Sequence, residues 1–113
     1  MKVINRIKEN KDFTLAIKNG KSLRTQSCYL NVIKNDFGRV RVGISASKKL
    51  GNAVTRNRVK RQIRAMCDDI IIYNNGSYDI VIIPKIGFLE KSFLENKETL
   101  RKGLSEVTTG VIK

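Results

Sequence analysis

A chain of 113 residues with 41% hydrophobic content carries enough apolar material for one folded domain, residues 1–113, and is not a disordered basic tail. Lysine and arginine number 23 against 10 aspartates and glutamates, a net charge of +13 that favours polyanionic partners, nucleic acid first and an anionic membrane surface second. The absence of histidine removes the commonest general base and the mixed Cys/His zinc sites.

No apolar run approaches the roughly 18–20 residues of a membrane span. The opening MKVINRIKEN lacks the apolar stretch of a secretory signal, so a cytoplasmic protein is expected. Cys28 and Cys67 lie far apart in apolar-patterned surroundings and read as buried free thiols rather than as a disulfide. The carboxylates are scattered, with no spacing that suggests a metal site or an acid–base pair. No residue is therefore assigned a catalytic or metal-binding role.

In chain order, NKDFTLAIKN (Asn10 to Asn19) predicts a short helix, with Phe13, Ala16 and Ile17 at i, i+3, i+4 and Gly20 as its stop. A short strand near Ser22–Thr25 follows. SCYLNVIK (Ser27–Lys34) is rich in strand formers, and alternation sets Cys28, Leu30 and Val32 on one face and Tyr29, Asn31 and Ile33 on the other. Asn35-Asp36-Phe37-Gly38 predicts a turn into a second strand, Arg39–Ser45, with Val40, Val42 and Ile44 inward and Arg39 and Arg41 outward. The two strands are expected to pair as an antiparallel hairpin.

The segment Ser45 to Arg64, SASKKLGNAVTRNRVKRQIR, is the most informative in the chain. A helix is predicted from Ala53 to about Ile72, with Asn52 as N-cap. At 100° per residue from Arg56, Val59, Ile63, Met66, Cys67 and Ile70 fall between about 280° and 20°, while Asn57, Lys60, Arg61 and Arg64 fall between about 40° and 140°. An apolar stripe thus runs beside a basic one, and Arg58, near 200°, stands well away from Arg56. No Asp or Glu occurs from Phe37 to Cys67. Solvated helices normally mix signs, so this face reads as a phosphate-binding surface. The free donors at the helix start reinforce it.

Asn74-Asn75-Gly76 predicts a turn, and Tyr78–Pro84, YDIVIIP, a central strand buried on both faces. Phe88 to about Thr109 predicts a last helix, in which Gly103 is a weak point. The order is that of an α+β sandwich. Phe13, read by itself, is a core residue, while Tyr29 and Tyr73 are ambiguous. The few aromatics form no stacking array of the RRM kind. Lys48-Lys49 precede a glycine without a GxxxxGK[ST] pattern, which argues against nucleotide triphosphate binding. No helix-turn-helix pair surrounds Val54–Met66, so DNA is not expected as a partner.

The run SKKLGNAVTRNRVKRQIR closely resembles the arginine-rich signature of the bacterial ribonuclease P protein family. The likeness extends to NKDFTLAIKNG, RVRVGIS and YDIVIIPK and so covers nearly the whole chain. It implies a two-layer α+β sandwich with a central mixed sheet, similar to the second domain of ribosomal protein S5. It also implies a left-handed βαβ crossover, against the right-handed rule for parallel units. In such a family the catalytic RNA subunit cuts the 5′ leader from precursor tRNA, with Mg2+ held mainly by RNA and substrate, and a monomeric protein assists.

Carried over by position, Lys49, Asn52, Arg56, Asn57, Lys60, Arg61 and Arg64, with Lys48 and Arg58 beside them, would contact the ribonuclease P RNA. A separate cleft between the first helix and the exposed sheet face would hold the leader, with Phe13, Ile17, Tyr29, Asn31 and Ile33 as its residues. Phe13 matches a family aromatic. Ile17 and Asn31 stand where members commonly carry aromatics, and Tyr29 and Ile33 are the neighbours that could compensate. The alternative is a structural ribosomal or general RNA-binding protein that uses the basic helix as an anchor.

Overall fold

The computed structural model describes residues 1–113. Four strands, β1 (Lys21–Arg24), β2 (Cys28–Lys34), β3 (Arg41–Ile44) and β4 (Tyr78–Pro84), form one mixed sheet in the order β1-β2-β4-β3. Three helices, α1 (Asn10–Asn19), α2 (Ala53–Ile70) and α3 (Phe93–Val107), pack on it. None is long and apolar enough to cross a membrane. The architecture is α+β, as expected.

β4 lies at the centre, as its unbroken apolar run requires: Ile80 and Ile82 enter the main core, while Val81 faces the opposite way into a smaller one. Its position overturns the expected hairpin. β2 and β3 do not touch; each pairs with β4, antiparallel and parallel respectively. The connecting loop is pinned across the end of β4 by Asn35, whose Nδ2 donates to Asp79 Oδ1 at 2.7 Å and to the Arg39 carbonyl at 3.1 Å. β4 has backbone donors and acceptors along both edges, and two flanking strands satisfy both where a closed β2–β3 hairpin could satisfy only one.

The main core joins Leu30, Val32, Val42, Ile80 and Ile82 of the sheet to Val59, Ile63, Met66, Cys67 and Ile70 of α2 and to Leu100 and Leu104 of α3. These α2 residues are the predicted apolar stripe. Both cysteines are free and buried, and burial pushes the Cys28 thiol up to about 12. On the opposite face α1 adds a third, partial layer beyond the expected two: Ala16 packs with Ile7 and Val81, flanked by Phe13, Ile33 and Ile83.

α2 ends at Ile70, two residues before the expected end, because Ile71 turns extended and pairs with Ile112. α3 starts five residues later than expected. Phe88 and Leu89 belong to a 3-10 turn, Ile86–Glu90, and the helix begins with a capping box between Ser92 and Glu95. Gly103 has a packing reason: a Cβ there would lie 2.8 Å from Leu30 Cδ1 where α3 crosses the sheet, and the buried leucine would have to shift.

Cross-strand registers arrange the α1-side face in three rows. Ile33, Asp79 and Arg41 form the first, and Ser22, Asn31, Val81 and Gly43 the second. Arg24, Tyr29 and Ile83 form the third. α1 covers the first two: Arg41 Nη2 reaches Asp12 at 3.4 Å, and the Phe13 ring lies on Gly43. The third row is left open.

Candidate nucleic-acid interface

The basic stripe of α2 follows from its opposite stripe: burial of Val59, Ile63 and Met66 turns Asn57, Arg58 and Arg61 to solvent, with Arg56, Lys60 and Arg64 half-buried at the margin. Asn52 caps the helix as predicted, its Oδ1 accepting from the Thr55 amide at 3.0 Å. Lys48 and Lys49 precede it in a short 3-10 turn, Lys48–Leu50, that ends at Gly51 with φ 131°, a conformation that favours glycine. None of Lys48, Lys49, Arg56, Arg58, Lys60, Arg61 and Arg64 makes an ion pair, while Arg41 and Arg101 elsewhere do. Arg56 Nε is shielded from solvent and has no partner. Seven cations on α2 and the turn before it thus keep their charge unneutralised, an arrangement that costs self-repulsion and is relieved by phosphate.

The open row of the sheet forms the floor of a second feature. Between Ile17 of α1, Ser22 and Arg24 of β1, and Tyr29 and Asn31 of β2 lies a hollow of about 430 Å3. A neighbouring hollow of about 400 Å3 lies between Tyr29, Ile83 and Lys85 and the 3-10 turn that carries Lys49. Tyr29 and Ile83 line both, and no carboxylate lines either.

The predicted cleft residues divide. Ile17 and Tyr29 are open to solvent, at 44% and 39% exposure. Asn31 lines the hollow but is only 6% exposed, and its Oδ1 accepts from Ser22 Oγ at 2.8 Å. Phe13 is half-buried on Gly43. Ile33 falls outside the open part: it lies in the covered row and packs against the small core beneath α1.

Two cations beside Tyr29 escaped the sequence reading. The Arg24 guanidinium stands 5.5 Å and the Lys85 ammonium 5.0 Å from the ring centroid. Arg24 faces Tyr29 across the β1–β2 register, whereas Lys85 directly follows β4, so only the strand order brings the three together.

The family model for ribonuclease P matches residues 1–108. The chain belongs to the ribonuclease P protein family. It is 46% identical over 97 residues to the ribonuclease P protein component of Mesoplasma florum, covering 85% of this chain and 88% of the relative. It is 34% identical over 119 residues to that of Bacillus cereus, covering all of both. Among solved structures it is similar to the Staphylococcus aureus RNase P protein, with a TM-score of 0.80 and 33% identity over 90% of this chain and 94% of that one. The Thermotoga maritima RNase P protein gives 0.78 and 30% over 91% and 97%. The molecule is thus the protein subunit of ribonuclease P, a ribonucleoprotein endoribonuclease of tRNA processing. The basic stripe of α2 is the segment that carried the resemblance.

Proposed function

We propose that the basic flank of α2, from Lys48 to Arg64, holds the ribonuclease P RNA and that the open row of the sheet holds the single-stranded 5′ leader of precursor tRNA. The observation that carries this reading is the pairing of seven unneutralised cations on α2 and the turn before it with a carboxylate-free hollow on the other side of the sheet. Contacts of lysine and arginine with phosphate set register and affinity without reading sequence, so one protein serves many precursors. The RNA performs the hydrolysis, with Mg2+ bound mainly by RNA and substrate. The protein raises affinity for substrates that carry a leader and screens phosphate repulsion near the metal ions. The fold reading that accompanies it is the ribosomal protein S5 second-domain type, with a left-handed β3–α2–β4 crossover. The protein acts as a cytoplasmic monomer within the ribonucleoprotein.

The test mixes the purified protein with a bacterial ribonuclease P RNA and labelled precursor tRNA at low magnesium. Leader release by the mixture, and by neither component alone, is expected. No stimulation by the folded protein would favour a general RNA-binding role, and cleavage by protein alone would overturn the division of labour.

A further inference from the structure

We infer that Arg24, Tyr29 and Lys85 form one nucleotide-binding subsite, with a base stacked on Tyr29 and the flanking phosphates held by the two cations. It lies where the leader strand passes from the α1 cleft to the hollow below Lys49. This rests on the reading that the open sheet face takes the leader, and it fixes where an aromatic grip lies in this chain.

Tyr29 is the one exposed aromatic on the open row, and it lines both hollows. A strand running between them therefore passes over its ring. Phe13, the other aromatic of this face, is committed to Gly43 and is only half-exposed, and positions 17 and 31 offer no ring. Phe37 is taken up by Arg41 in the covered row and lines neither hollow, so a base stacked within the two hollows falls on Tyr29.

The cations are placed for a phosphodiester rather than for the protein. Arg24 makes no ion pair and no hydrogen bond within the chain; its guanidinium only approaches the ring, at 5.5 Å. That is looser than Arg41, which rests 4.1 Å above Phe37. Arg24 is free to swing to an entering phosphate. Lys85 is anchored: its Nζ donates to the Thr25 carbonyl at 2.9 Å and keeps two further protons for a ligand. A fixed charge reaching the ring from the end of β4 and a mobile one from β1 match a base whose backbone continues in both directions. Asn31, one row below, has its Oδ1 occupied by Ser22 Oγ, which leaves Nδ2 without a protein partner as a donor toward a base.

The experiment measures binding of precursor and mature tRNA to the reconstituted holoenzyme under conditions that slow cleavage, for the natural protein, Tyr29→Leu and Tyr29→Phe. Tyr29→Leu is expected to lose about tenfold in precursor affinity with mature tRNA unchanged, the loss typical of one unstacked base, and Tyr29→Phe to stay within about twofold. A single abasic leader position should cost the natural protein the same tenfold and cost Tyr29→Leu nothing more. A precursor gain kept in full by Tyr29→Leu would overturn the subsite while leaving the leader cleft standing. No difference between precursor and mature tRNA for the natural protein would overturn the cleft, and the subsite with it. Equal loss on both RNAs by Tyr29→Leu would show a folding role for the ring and overturn the subsite as well.

Discussion

The Phe13 ring lies directly on Gly43: a Cβ at that glycine would stand 2.6 Å from both Cε1 and Cζ. This contact sets how closely α1 approaches β3 and hence how far the helix wall stands from the open row. Gly43→Ala forces the ring outward. A loss of about 1–3 kcal/mol in urea denaturation is expected, as for other overpacked sites. Phe13→Ala is expected to weaken precursor binding by the holoenzyme while sparing mature tRNA. Equal losses for both RNAs would remove Phe13 from the cleft wall.

Arg41 holds the same helix by charge. Its Nε and Nη2 bond Asp79 at 2.8 and 2.5 Å, Nη2 reaches Asp12 of α1 at 3.4 Å, and the Phe37 ring covers the guanidinium. Arg41→Met leaves a buried carboxylate supported only by Asn35, at a cost of about 3 kcal/mol. Arg41→Met/Asp79→Leu is expected to recover most of that loss. Denaturation midpoints of the two single variants and the double variant check this, and strict additivity would show that the pair is not coupled.

Burial raises both thiols, Cys28 from an ordinary 9.0 to about 12 and Cys67 in the same direction. The folded protein thus keeps protons that the unfolded chain releases above pH 9. The stabilisation is fully present below that value and is lost as pH rises toward the folded pKa. Two such thiols imply a fall of about 3 kcal/mol between pH 8 and 10. Urea unfolding at both values should show a shallower dependence for Cys28→Ala/Cys67→Ala; identical slopes would contradict the assignment.

Arg61 is exposed on the basic flank of α2 and has no ion partner. Arg61→Ala is expected to reduce holoenzyme activity most at low magnesium, where the RNA depends most on protein charge, and least at high magnesium. A magnesium titration reads this directly, and a uniform response would count against screening as its role.

The sequence made α2 legible because both of its faces are local: the stripe from Val59 to Ile70, the cap at Asn52 and the cations between them need no distant partner. β4 was legible from its composition, but its neighbours were not. Two strands joined by Asn35–Gly38 look like a hairpin from either side, and only Asp79, more than 40 positions further on, supplies the contact that holds them apart. The start of α3 is hidden for a different reason: Phe88 continues the apolar spacing of Phe93 and Leu100, and the Ser92-x-x-Glu95 box that resets the helix lies inside that spacing. In the site, Ile33 shares a strand face with Tyr29, and alternation cannot tell which end of that face α1 will cover. Arg24 and Lys85 meet only through strand order.

The central strand is also the last of the four to be synthesised. A growing chain that has reached Ile72 already contains every cation of α2, yet β2 and β3 still lack the neighbour that would make them a sheet. The unneutralised charge of α2 is therefore complete before the open row of the sheet exists. The sheet closes only when β4 pairs with β2 and β3 across long stretches of chain, a topology that slows folding. Until residues 78–84 insert between β2 and β3, the chain carries the cations of α2 without the sheet face that we propose takes the leader.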